Sequence, residues 1–156
     1  MIGPYLIVER IGAGGMGEVF LGSDTRLQRK VALKCLTAPA CGDSLNRILH
    51  EARTAARINH PNVAMVHDVV EHGSRAFIVM EYVAGESLAA RLKRGPLPLA
   101  TVISIGRQLA AALTVAHARG VIHRDLKPAN IQVAPTECIR NRTAEGFSIT
   151  ATSSLT

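Results

Sequence analysis

The spacing of apolar residues along the chain changes several times, and each change marks an element. Tyr5-Leu6-Ile7-Val8-Glu9-Arg10 is apolar and β-branched enough for a strand. Val19-Phe20-Leu21 carries strand character on toward a turn at Ser23-Asp24. In residues 30–36 strict alternation puts Val31, Leu33 and Cys35 on one face and Ala32 and Lys34 on the other. After a turn at Cys41-Gly42, Asp43 or Ser44 can cap a helix running to about Ile58. Ile48, Glu51, Ala55 and Ile58 recur there at helical spacing, with Ala52 beside them. His60-Pro61-Asn62 ends that helix, and two strands are expected over 64–70 and 76–81, joined at Gly73-Ser74. Ser87 can cap a short helix to Arg94, stopped by Gly95-Pro96. A longer helix is expected over 99–119, with Gly120 as its stop. Thr101-Val102-Ile103-Ser104-Ile105 is strand-like in isolation, but Val102, Ile105, Leu109, Ala112, Leu113 and Ala116 recur every three or four positions. Residues 134–156, rich in Thr, Ser and Arg, sustain no period and are expected to be irregular.

Composition narrows the picture. A chain of 156 residues holds one ordinary domain and buries a real core. That core must be aliphatic, since hydrophobic residues make up 47% but aromatics only 3%. The net charge of +6 raises the question of nucleic acid, yet no basic stripe is interleaved with aromatics that could stack bases. Cys35, Cys41 and Cys138 are odd in number and lack C-x-x-C spacing, which reads as reduced thiols in a cytoplasmic chain without zinc or disulfides. The N-terminus has no signal-peptide pattern. The longest apolar stretch, 109–118, is too short to span a bilayer, so no membrane segment is expected.

Candidate chemistry concentrates in His123-Arg124-Asp125-Leu126-Lys127-Pro128-Ala129-Asn130. A carboxylate, an ammonium and an amide stand within six positions, where Pro128 forbids a continuing helix. Phosphoryl transfer needs such a set: Asp125 as base, Lys127 as the cation for the moving group, Asn130 as an oxygen ligand for Mg²⁺. Gly12, Gly14 and Gly17 fit G-x-G-x-x-G. Dinucleotide-binding folds share that spacing, but there a helix follows, whereas here Val19-Phe20-Leu21 continues as a strand. A glycine-rich hairpin over phosphates fits better, and a hairpin without a ligand stays open. Val31-Ala32-Leu33-Lys34 puts a small residue beside a lysine, leaving room for a flat base next to a phosphate contact. Glu51 on an apolar stripe needs a partner such as Lys34, unless it turns to the edge and meets water.

H-R-D-L-x-x-x-N is the catalytic-loop signature of protein kinases, and V-A-L-K is close to their V-A-I-K. The chain resembles a protein kinase, specifically the bacterial serine/threonine kinases of eukaryotic type, over about residues 1–133, roughly half of such a domain. The resemblance implies an α+β fold: a small lobe over 1–81 with a five-stranded antiparallel sheet and one helix, a hinge at 82–85, and the start of a helical large lobe over 86–133. Residues 134–156 carry no such resemblance. It further implies transfer of the ATP γ-phosphoryl group, with Mg²⁺, to Ser or Thr hydroxyls of a protein substrate. Gly12, Ala13, Gly14, Gly17 and Lys34 would hold the phosphates, with Glu51 positioning Lys34. Val19 and Ala32 would cover the adenine, Met80 would guard its pocket, and the backbones of Glu81 and Val83 would pair with it. From spacing alone Met80 is equally a core residue. Arg124 before Asp125 marks the class commonly activated by phosphorylation of a downstream loop.

Departures follow. Gln132 stands where the family has an apolar floor under the adenine, and no aspartate follows Asp125 to supply the Asp-Phe-Gly metal ligand. Glu145-Gly146-Phe147-Ser148 has the flavour of that motif but not its order. The expectation is therefore a kinase by family whose activity in this chain is impaired by truncation. The alternatives are a non-catalytic nucleotide-binding or interaction module, or an inactive fragment of a frameshifted gene. Retained Lys34, Glu51, Asp125 and Asn130 weigh against an evolved pseudokinase.

Overall fold

A computed structural model describes residues 1–14, 17–39, 42–123, 125–134 and 148–151. Its elements in chain order are β1 (Tyr5–Gly14), β2 (Gly17–Asp24), β3 (Arg29–Pro39), α1 (Gly42–Ala56), β4 (Val63–Ala64), β5 (Val66–His72), β6 (Arg75–Glu81), β7 (Glu86–Ser87), α2 (Leu88–Leu92), α3 (Leu99–His117), β8 (Ile131–Val133) and β9 (Ser148–Ala151). A 3₁₀ turn over Pro128–Asn130 precedes β8. They group into two compact units, one of Met1–Ala56 with Met65–Tyr82, the other of Arg57–Ala64 with Val83–Thr156.

The first unit is the expected five-stranded antiparallel sheet, ordered β1-β2-β3-β6-β5, with α1 packed on β5 and β3. The alternation in β3 holds. Val31, Leu33 and Cys35 join Ile2, Tyr5, Phe77 and Val79 in one core cluster, while Ala32 and Lys34 are buried on the other face. The Asp24 turn is built by its own carboxylate, whose Oδ1 accepts from the backbone N–H groups of Arg26 and Leu27, both at 3.1 Å. Burial by itself raises the pKa of Asp24, but those two hydrogen bonds and Arg29 outweigh it and hold the carboxyl below its ordinary range. The sheet curls until its edges meet. The Tyr5 hydroxyl on β1 donates to Asp68 Oδ2 on β5 at 3.0 Å, although these strands stand at opposite ends of the sheet order. α1 ends two residues before Ile58, which is buried in the second unit instead.

In the second unit Leu88, Ile105 and Ile131 form a core with Leu97, Leu109 and Val133 against it. Ser87 caps α2 as expected, its Oγ accepting from the Ala90 N–H at 3.1 Å. α3 turns Ile105, Ala112 and Ala116 inward, but Val102, placed on the apolar stripe by spacing, is 49% exposed because the inward face begins at Ile105. Buried Asn62 donates to Gln108 Oε1 at 2.9 Å and so ties α3 to the segment that leads into β4. By length and composition α3, with 19 residues and mean hydropathy 1.5, is apolar enough to cross a bilayer, which corrects the shorter 109–118 stretch; the core helix of a soluble domain meets the same test. The tail needs correction too. Residues 148–151 form β9, which pairs parallel with β8 and antiparallel with β4 in a sheet ordered β4-β9-β8-β7. Two short strands with open edges provide a template that the tail's own weak period did not reveal.

Candidate functional site

The residues singled out in the sequence fall in both units, and each set has a geometry of its own. In the first unit, register sorts them onto one face of the sheet, since residues directly opposite in an antiparallel pair share a face. Gly12 stands opposite Val19, Val19 opposite Lys34, and Ala32 opposite Met80. Gly12, Val19, Ala32, Lys34 and Met80 therefore form a strip across β1, β2, β3 and β6. Met80 is 2% exposed and Lys34 only 6%, so an ammonium group lies deep beside small and aliphatic side chains. Such burial is tolerated only where negative groups meet it. Gly14 pairs with Gly17 at the end of the hairpin, and Ala13 is opposite Glu18. Gly17 has φ +114°, and a Cβ there would lie 2.1 Å from the Cys35 carbonyl oxygen, so β2 and β3 close up only around a glycine. The side chain of Glu51 lies outside the described residues, as do Arg124 and residues 145–147, so its pairing with Lys34 is not part of this geometry.

The Glu81 N–H donates to the Met65 carbonyl at 2.9 Å. Val83, in the second unit, is buried.

The second unit brings Asp125, Lys127 and Asn130 together. Pro128 starts the 3₁₀ turn and holds Lys127 extended before it (φ −153°, ψ 158°), as its ring requires of the preceding residue. Within that bend Lys127 Nζ lies 2.9 Å from Asp125 Oδ2. Asn130 Nδ2 donates to the same oxygen and to the Asp125 backbone carbonyl, both at 2.8 Å. The Lys127 hydrogen bond is the largest of the influences on Asp125; burial opposes it, Asn130 assists it, and the carboxyl sits below its usual range. Its lowered pKa keeps Asp125 ionised at neutral pH, and at 18% exposure the side chain is still reachable.

His123, not given a role from the sequence, is buried beneath this cluster, and its Nδ1 accepts from the Asp125 N–H at 3.3 Å. Burial lowers its pKa, and the charge of Asp125 only partly opposes that. Gly85, the last residue of the expected hinge, has a packing role not assigned to it from the sequence. At φ +137°, a Cβ there would lie 2.4 Å from the Val133 carbonyl oxygen, so β8 passes the segment before β7 only at a glycine. Its signal was present in the Ala84-Gly85-Glu86 break before a capped helix.

Taken unit by unit, each set has chemistry that suits one part of a magnesium nucleotide. Asn130 engages Asp125 through its amide nitrogen, leaving a carbonyl oxygen of the kind that hard divalent cations prefer. Gly17 keeps the hairpin where a side chain would fill it, and Lys34 supplies a buried cation on the same sheet face.

Comparison with known proteins points the same way. The protein kinase domain family matches residues 5–140, carrying the likeness past Val133, where the motifs had stopped. Serine/threonine-protein kinase PknD of Mycobacterium tuberculosis is 45% identical over 139 residues, covering 86% of this chain and 21% of that protein. PknA of the same organism is 44% identical over 142 residues, covering 86% and 33%. Serine/threonine-protein kinase pkn2 of Myxococcus xanthus is 41% identical, covering 85% and 16%. A crystal structure of the Mycobacterium tuberculosis PknI kinase domain matches with TM-score 0.80 at 34% identity, over 90% of this chain and 59% of that one. The chain thus spans a third or less of the length of these curated relatives.

Proposed function

This chain belongs to the protein kinase family, and on that premise we propose that it binds Mg-ATP and presents the catalytic loop of a serine/threonine kinase to a protein hydroxyl. The observation that carries the proposal is the Asp125 carboxylate, fixed by Lys127 at 2.9 Å and by Asn130 at 2.8 Å. Asp125 orients the Ser or Thr hydroxyl and takes its proton as the oxygen attacks. Lys127 keeps that carboxylate ionised and offsets negative charge beside it. Asn130 sets the carboxylate's orientation and would offer its amide oxygen to Mg²⁺, and Gly12, Gly14, Gly17 and Lys34 would hold the phosphates. Bound Mg-ATP supplies the phosphoryl group, its metal neutralising charge on the transferring oxygens. The reduced, buried Cys35 suits a cytoplasmic setting where ATP is abundant.

Turnover by these 156 residues is a separate matter. The metal ions of a kinase are held by an aspartate of Asp-Phe-Gly as well as by the loop asparagine, and no aspartate follows Asp125 here. We read this chain as nucleotide-binding but slow in transfer. The test is a Mg²⁺-dependence series of ATP binding by thermal shift, together with ³²P transfer from γ-labelled ATP to a generic basic protein. Mg²⁺-dependent binding with little transfer is expected. Brisk transfer abolished by Asp125→Asn would overturn the impairment, and no Mg-ATP binding at any concentration would overturn the kinase reading itself.

A further inference from the structure

The turn between β2 and β3 fastens the start of the chain to the sheet through one residue. Thr25 is exposed, and its Oγ donates to the Pro4 carbonyl at 2.8 Å, joining segments 21 residues apart. Its backbone N–H donates to the same oxygen at 3.1 Å. Pro4 lies inside a small turn closed by the Ile2 N–H on the Tyr5 carbonyl at 2.9 Å and the Tyr5 N–H on the Ile2 carbonyl at 3.1 Å. Ile2 and Tyr5 both sink into the core cluster with Val31, Leu33 and Val79, so what holds Pro4 also seats them. Other hydroxyls are engaged locally: Thr54 and Thr114 bond carbonyls four residues back in their helices, and Ser87 caps α2.

The surroundings of Thr25 suit a dianion. Asp24 stands opposite Arg29 in register, which puts Thr25, Arg26 and Arg29 in one tight turn with both arginines exposed. The Asp24 carboxylate is buried and already accepts from the Arg26 and Leu27 N–H groups. Arg29 approaches it only to 3.6 Å, beyond hydrogen-bond range, so that guanidinium keeps donors for a stronger anion. A phosphate on Thr25 would turn the clasp into a repulsion, because the hydroxyl donor is lost and phosphate oxygens, like the Pro4 carbonyl, only accept.

We propose that Thr25 is a phosphoacceptor whose modification unfastens the turn at residues 2–5: the phosphate leaves Pro4 for Arg26 and Arg29, and the start of β1 loosens from the core. In that step Thr25 Oγ attacks the γ-phosphorus of ATP and the bond from that phosphorus to the β–γ bridging oxygen breaks. ADP leaves, and the hydroxyl proton passes to the catalytic aspartate of the acting kinase. The acting enzyme is a complete serine/threonine kinase with Mg-ATP, so the site does not depend on turnover by this chain.

The experiment incubates the folded chain with Mg-ATP and the catalytic domain of PknA or PknD, and maps phosphopeptides by mass spectrometry in wild type, Thr25→Ser and Thr25→Val. Expected is phosphate on residue 25 in wild type and Thr25→Ser, and none there in Thr25→Val. Hydrogen exchange at the Ile2 and Tyr5 amides should quicken about tenfold in the phosphorylated chain. Thr25→Val keeps the backbone bond to Pro4 and adds no charge, so it should quicken less. If Thr25→Val does not fold, Thr25→Ala takes its place. No phosphate on Thr25, in a reaction that labels a generic basic protein, overturns the assignment, as does phosphate that arrives there only after the chain is heat-unfolded. Phosphate on Thr25 with unchanged exchange at Ile2 and Tyr5 overturns the unfastening.

Discussion

Asn130→Ala separates the structural from the chemical role of the catalytic turn. The substitution removes two hydrogen bonds, to the Asp125 carbonyl and to Asp125 Oδ2, both at 2.8 Å. The first is a neutral bond worth about 1 kcal/mol. The second is charge-assisted and worth about 1.5–3 kcal/mol in a dry setting. Here the carboxylate is 18% exposed and keeps Lys127, so water and the lysine recover part of that loss. The net cost is about 2 kcal/mol, or a fall of about 4–8 °C in Tm for a chain of this size. The Asp125 carboxyl should nevertheless stay below its ordinary range, because Lys127 is the largest influence on it and remains. Lys127→Met should reverse the pattern, with a smaller loss of Tm, since the lysine is about half exposed, and a clear upward move of the Asp125 titration. The assays are thermal melts by circular dichroism and a ¹³C-carboxyl NMR titration. Should Asn130→Ala leave Tm unchanged, or return Asp125 to an ordinary carboxylate value, the hydrogen bonds drawn here do not hold the turn.

Two further predictions follow from geometry and charge. Gly17→Ala forces a methyl group to 2.1 Å from the Cys35 carbonyl at a φ that L-residues avoid, so the β1–β2 hairpin must open; a loss of more than about 3 kcal/mol and of Mg-ATP binding is expected, checked by melting and titration. His60, His67 and His123 have pKa values lowered chiefly by burial, so in acid the native state binds fewer protons than the unfolded chain. Stability is then full above the unfolded value of 6.5 and falls as pH drops through it toward the folded values. Tm should decline from pH 7 to pH 5, and a flat profile would show these imidazoles to be solvated.

Much of this molecule was legible along the chain because its signals are local. Period-2 alternation over 30–36 assigned Val31, Leu33 and Cys35 to one face, and the core cluster contains those three. Ser87 announced a cap, the spacing after Pro98 announced α3, and the order His123-Arg124-Asp125 to Asn130 announced the chemistry of the turn. Each of these depends on neighbours within a turn or two, where side-chain spacing and backbone sterics act directly. Tertiary structure decided what involves distant partners. The closure of the sheet by Tyr5 on Asp68, the recruitment of residues 148–151 between β4 and β8, and the seating of Ile58 in the second unit join segments whose separation along the chain carries no periodic trace. The same holds for Gln132: its letter shows an amide, but only the packing of Ile131 and Val133 into the core directs that amide to the other face and buries it there. Whether a polar group meets water or is buried depends on which surfaces the fold brings over it, and no local pattern encodes that.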